Sequence, residues 1–117
     1  MKGYESSEFE EQAAFVEYCD RMRIPVFAIP NGYNKTPASR VKAKREGLRA
    51  GVPDLFVPIP TERRHGLFIE MKYGRNKTSP EQDAWIDLLN INGYAAVVCY
   101  SCDKAIEAVK RYRAGDL

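Results

Sequence analysis

Hydrophobic and polar positions along the chain follow two periods. Phe9, Ala13, Val16 and Met22 recur at helical spacing, and Ser7-Glu8-Phe9-Glu10 fits a capping box with acids in the first turn. This predicts a helix from Glu8 to Met22. Pro25 to Ile29 is a short apolar run that reads as a strand, and Pro30-Asn31-Gly32 marks a loop. A second helix opens near Thr36, with Pro37 as its first residue and Gly47 or Gly51 near its end. Asp54 to Ile59 and Gly66 to Lys72 read as strands, joined by the polar turn Pro60 to His65 into a hairpin. Ser79-Pro80-Glu81-Gln82 opens a third helix, whose buried face is assigned to Trp85, Leu88 and Leu89. Tyr94 to Tyr100 is a strongly apolar strand. A last helix starts at Ser101 or Asp103 and buries Ala105, Ile106 and Val109. The order α-β-α-β-β-α-β-α predicts the α/β class, a mixed β-sheet flanked by helices.

Composition changes the picture only slightly. A chain of 117 residues with 44% hydrophobic and 29% charged residues has the makings of one globular domain, residues 1–117, with a real core. No apolar run approaches a membrane span, and the acidic N-terminus does not look like a secretory signal. Three cysteines argue against a disulfide framework, so a reducing, cytoplasmic setting is expected. Charge is more informative. Residues 1–20 hold one lysine against six acids, whereas residues 21–52 hold eight Lys/Arg against one glutamate. Concentrated basic excess suits a polyanion, although a charge run is more often a solvated face.

The chemistry lies in the hairpin. Paired residues of an antiparallel hairpin have a constant sum of positions, and a turn centred near Glu62 puts Asp54 opposite Glu70 and Pro58 opposite Gly66. Two carboxylates then sit side by side on adjacent strands. Lys72 is two residues beyond Glu70 and shares its face. Taken singly, Glu-x-Lys reads as a solvated strand face and Pro-Asp as a turn. Here both occupy one hairpin in register, and Leu67-Phe68-Ile69 lead directly into Glu70. Such a cluster costs stability unless something neutralises it. A hard divalent cation, Mg²⁺ or Mn²⁺, would do so through carboxylate oxygens, and an adjacent lysine can orient or deprotonate a water.

Pro53-Asp54 followed by Glu70-x-Lys72 resembles the PD-(D/E)XK nuclease signature. More narrowly, Gly51-Val52-Pro53-Asp54-Leu55, then Gly66-Leu67-Phe68-Ile69-Glu70-Met71-Lys72, then Ser79-Pro80-Glu81-Gln82 resembles the VRR-NUC family, the virus-type replication-repair nucleases. The likeness runs from the Glu8–Gln12 helix through the strand at Tyr94 to Tyr100. It implies a restriction-endonuclease-like fold and a divalent-metal-dependent phosphodiesterase acting on DNA. By the resemblance, Asp54 and Glu70 hold the metal with help from the Met71 carbonyl, and Lys72 serves the water. It also places a glutamate and a glutamine of the first helix near the metal. Glu8 and Gln12 fit, one turn apart, with Glu11 the alternative to Glu8. Acids there also favour the helix dipole. Gln82 is an active-site candidate on the same grounds, and it also fits a capping box with Ser79. Stand-alone members resemble Holliday-junction resolvases, so a homodimer acting on four-way or otherwise branched DNA is expected, with flap cleavage as the alternative.

Lys35, Arg40, Lys42, Lys44 and Arg45 suit backbone phosphates. Asn31 reads as a turn residue, and Tyr33 as either turn or DNA contact. His65 reads as an exposed turn residue and Trp85 as core. Cys99-x-x-Cys102 has no partners at the spacing of a zinc module. Two rivals remain: a non-catalytic DNA-binding module of the same fold, and a sequence-reading restriction-type endonuclease.

Overall fold

The computed structural model describes residues 7–30 and 36–117. Their elements are α1 (Glu8–Arg21), β1 (Phe27–Ala28), α2 (Pro37–Arg45), β2 (Leu55–Val57), β3 (Leu67–Met71), α3 (Pro80–Ile91), β4 (Ala95–Cys99) and α4 (Cys102–Arg113). The predicted order of elements is the observed one. The strands form one four-stranded sheet in the order β1-β2-β3-β4. β1, β2 and β3 run antiparallel, and β4 lies parallel to β3. The parallel step needs a crossover, which α3 supplies. The fold is therefore a mixed sheet flanked by helices.

Alternation along β2 and β3 sorts residues between two faces. Leu55, Val57, Leu67, Ile69 and Met71 are fully buried on one of them. Phe15 and Cys19 of α1 and Ala105, Val109 and Tyr112 of α4 join them in a single core. Each large apolar side chain among them contributes about 1.5–3 kcal/mol on leaving water. The Tyr112 hydroxyl also donates to the Ile59 carbonyl at 2.6 Å, fastening α4 to the chain leaving β2.

Several sequence expectations shift here. Phe9 and Met22 are 75% and 58% exposed, and Ala13 is exposed too. The line of α1 that reaches the core is Phe15–Cys19, rotated from the predicted stripe, with Val16 at its margin. The first strand shrinks to Phe27–Ala28, held only by β2 at the sheet edge. Asp54 lies just outside β2 rather than within it. On α3 only Leu89 is buried: Leu88 is 49% exposed and Trp85 is half-buried, so Trp85 is not a core residue. α3 packs chiefly on β4, and one sheet strand offers room for one buried position. On α4, Ile106 is only partly buried, whereas Tyr112 is fully buried with Ala105 and Val109.

Helix ends follow their sequence signals. Thr36 and Ser39 form a capping box that spans Pro37, and Ser79 and Gln82 form another that spans Pro80. Asn31, Tyr33 and Lys35 lie outside the described residues.

Candidate active site

The hairpin register is Leu55↔Ile69, Phe56↔Phe68 and Val57↔Leu67. Its continuation brings Asp54 against Glu70, as the sequence arithmetic requires. Asp54 reaches further: its Oδ2 accepts the Met71 backbone N–H at 2.7 Å. That contact substitutes for a ladder bond where β2 has ended, and it fixes the plane of the carboxylate. The Asp54 carbonyl accepts from the Ile29 N–H at 2.8 Å, so both ends of the residue are held.

Glu70 is 2% exposed, the one buried charged residue among those described. Gln82 Nε2 donates to its Oε2 at 3.2 Å, and Lys72 Nζ stands 3.9 Å from the same oxygen. Its Oε1 is buried with no hydrogen-bond partner. Burial, and after it the charge of Asp54, pushes the Glu70 pKa up to about 8 despite the opposing pull of Lys72. A carboxyl stripped of water and pressed against a second one holds a proton without metal, which it can share with Asp54, and a divalent cation that replaced this proton would neutralise the pair. The donors are all oxygen, which fits Mg²⁺ or Mn²⁺ and not a soft metal. Among the described residues no three His, Cys, Asp or Glu side chains converge on one point. The pair is enough for Mg²⁺, which is typically bound through one or two carboxylates and keeps several waters.

Gln82 does two things at once. Its Oε1 accepts the Ser79 N–H at 2.9 Å, closing the capping box, while its Nε2 reaches Glu70. The cap therefore aims the amide at the carboxylate. Gly51 makes this approach possible. It has φ +90°, and a Cβ there would stand 2.6 Å from the Glu81 carbonyl carbon, so only glycine lets the chain entering Asp54 pass the first turn of α3.

The two acids that the first helix offers sit in different surroundings. Glu8, exposed at the start of α1, has its pKa raised by loss of solvent and by the charge of Asp54, with Lys72 pulling the other way. Glu11 instead accepts the Cys102 backbone N–H at 2.8 Å, at the N-terminus of α4. This structural role of Glu11 carries no sequence signal, because it joins residues 11 and 102. Gln12 is half-buried and lines a shallow groove along α1 with Phe9, Ala13 and Val16.

Arg40, Lys42, Lys44 and Arg45 are exposed on α2 and form no ion pair among the described residues. They do not enter the carboxylate cluster. His65 is exposed, with its ring edge against Tyr94. Burial raises the Cys99 thiol pKa to about 11, far from the range of a reactive thiolate.

The sequence model of the VRR-NUC domain matches residues 28–103. The chain belongs to the VRR-NUC family. A solved VRR-NUC domain protein is 29% identical, with a TM-score of 0.79 over 93% of this chain and 89% of that one. A second solved VRR-NUC domain, 20% identical, shares the fold with a TM-score of 0.64 over 92% of this chain and 99% of its own. No match to a curated protein is found. As a VRR-NUC domain the chain is of nuclease type. Asp54, Glu70, Lys72 and Gln82 fall inside the matched interval, whereas Glu8 and Gln12 precede it. Among the described residues of this VRR-NUC domain, no helix is long and apolar enough to cross a membrane.

Proposed function

We propose that the protein is a divalent-metal-dependent DNA endonuclease that hydrolyses phosphodiester bonds in branched DNA, in the manner of a Holliday-junction resolvase. The observation that carries the reading is Glu70: a buried carboxylate with an unpartnered oxygen, beside Asp54 and within reach of Lys72.

Asp54, Glu70 and the Met71 carbonyl would hold the ion, with Glu8 at the rim. When bound, the ion supplies positive charge for the developing negative charge on the phosphate and the leaving oxygen. The chain's own residues do the rest. The Met71 N–H locks Asp54 Oδ2, leaving Oδ1 to face the ligand. Gln82 holds Glu70 Oε2 and leaves Oε1 free for the site. Lys72, only 12% exposed along its side chain, stands beside the carboxylates: its ammonium would orient an attacking water, and after giving up a proton its neutral amine would accept the proton of that water. Gln12 is assigned a supporting place on α1, one turn beyond Glu8.

DNA would reach this site along the basic surface of α2, where Arg40, Lys42, Lys44 and Arg45 contact phosphates without reading bases, and Lys35, outside the described residues, is proposed for the same role. Two symmetric cuts in a four-way junction call for two sites, hence a homodimer. The test is cleavage of matched linear, flapped and four-way DNA with Mg²⁺, Mn²⁺ or chelator. Metal-dependent cutting of the four-way substrate is expected. Equal cutting in chelator removes the metal from the proposal, and preferred cutting of flaps replaces the junction.

A further inference from the structure

The sheet face that carries Glu70 also carries a row of aromatic rings that the core does not use. The register aligns Phe27 of β1 with Phe56 of β2, and Phe56 with Phe68 of β3. Phe27 and Phe56 meet edge to face at 5.6 Å, and the Phe56 and Phe68 centroids are 4.3 Å apart. Tyr94 closes the row, 5.3 Å from Phe68 and 6.1 Å from Phe56. Gly66 leaves room for the Phe56 ring, which a Cβ there would meet at 2.6 Å. Phe56, Phe68 and Tyr94 are half-buried, and Phe27 is 53% exposed on the edge strand. Single exposed apolar residues are ordinary, but a connected row of rings is not.

Its position is informative. Phe68 precedes Glu70 by two residues on the same face, and Phe56 follows Asp54 by two, so the row lies about 7 Å from the carboxylate pair along the strands. This spacing is close to one nucleotide of an extended strand.

We infer that Phe27, Phe56, Phe68 and Tyr94 form a stacking platform for an unpaired nucleobase next to the phosphodiester held at Asp54 and Glu70. The inference rests on the nuclease reading and sharpens its substrate. A base reaches the platform only after leaving the duplex stack, so DNA with an unpaired nucleotide at a branch point gains the contact and intact duplex does not. Aromatic faces accept any base, so the preference is for structure rather than sequence. A second copy of the chain is a poorer occupant, because it would cover the face on which Glu70 lies.

The test is binding in chelator, so that metal chemistry plays no part. Wild type, Phe27→Ala, Phe27→Trp and Phe68→Leu are titrated with a duplex and with the same duplex bearing an unpaired branch, labelled with 2-aminopurine at the branch point. Phe27→Ala should weaken binding to the branched DNA roughly tenfold, leave duplex binding unchanged and abolish the quenching of 2-aminopurine. Phe27→Trp should preserve both, and Phe68→Leu, which keeps apolar bulk, should behave like Phe27→Ala. Equal weakening on both DNAs, or none, overturns the platform. So does a change from dimer to monomer in Phe27→Ala without discrimination between DNAs, which would make the row a contact between copies. Wild-type protein that binds neither DNA removes the nuclease reading itself.

Discussion

Glu70 has one oxygen tethered to Gln82 and the other stripped of water without a partner. The first consequence is chemical: Asp54→Asn, Glu70→Gln and Lys72→Ala should each reduce metal-dependent cleavage by roughly 10²-fold or more while leaving DNA binding in place. Full activity in purified Asp54→Asn protein would dismiss the site. The second consequence is a dependence of stability on pH in metal-free protein. The folded pKa of Glu70, about 8, lies above its ordinary 4.5, so between these values the folded state holds a proton that the unfolded state has released. Stability from this group is complete below pH 4.5 and is lost as pH rises through 8. Glu70→Gln should therefore raise the thermal midpoint in chelator by roughly 5 °C or more at about pH 9 and change it little at about pH 4. Mg²⁺ should offset the alkaline destabilisation in wild type and not in Glu70→Gln. Matching melting curves for the two proteins at alkaline pH would mean that Glu70 is charged without penalty. Of this cluster, Asp54, Glu70 and Lys72 are legible in the sequence because hairpin register is arithmetic. The different surroundings of Glu8 and Glu11 are not, since Glu11 accepts from a backbone N–H 91 residues away.

Among the elements, α2 is the least integrated: only Ala43 is buried, and its cations face solvent. A helix so placed contributes little to the core and much to the surface potential. Replacing Lys42, Lys44 and Arg45 together by alanine should leave the melting temperature nearly unchanged. It should also flatten the salt dependence of DNA binding, by up to about 0.9 for each phosphate no longer neutralised. An unchanged slope in a titration from low to moderate salt would take α2 off the DNA-binding face. Element boundaries are legible where caps and prolines punctuate the chain, as at Thr36-Pro37 and Ser79-Pro80. The inward face of α1 is not. Phe9 and Met22 fit a buried stripe by spacing, yet the rotation of the helix is set by what the sheet presents, and the sheet takes Phe15 and Cys19. Trp85 misleads for a related reason: α3 rests mainly on a single strand, so it buries one residue where its sequence offers three. The aromatic row has no signature in the linear sequence, because Phe27, Phe56 and Phe68 come from three strands and align only through pairing.

At the scale of the molecule, extents of 48 × 44 × 25 Å make a flat body with one carboxylate pair among its described residues. One site cuts one strand, and resolving a four-way junction takes two cuts related by two-fold symmetry, so the proposed activity requires two copies. The last helix does not supply the contact through Tyr112, which is fully buried and bonded to Ile59. α3 offers a better surface: Ile91 is 82% exposed and Leu88 49%, three residues apart on one side of the helix. Light scattering at micromolar concentration should give about twice the 13.3 kDa of one chain. Leu88→Arg with Ile91→Arg should halve that mass. The melting temperature should fall by no more than the few degrees that correspond to about 1 kcal/mol, because neither side chain belongs to the core. The double variant should then nick four-way junctions in one strand instead of cutting two in concert. A wild-type mass of 13.3 kDa would instead point to substrates that a single cut resolves, flaps and single-strand branches, for which one copy and one platform suffice.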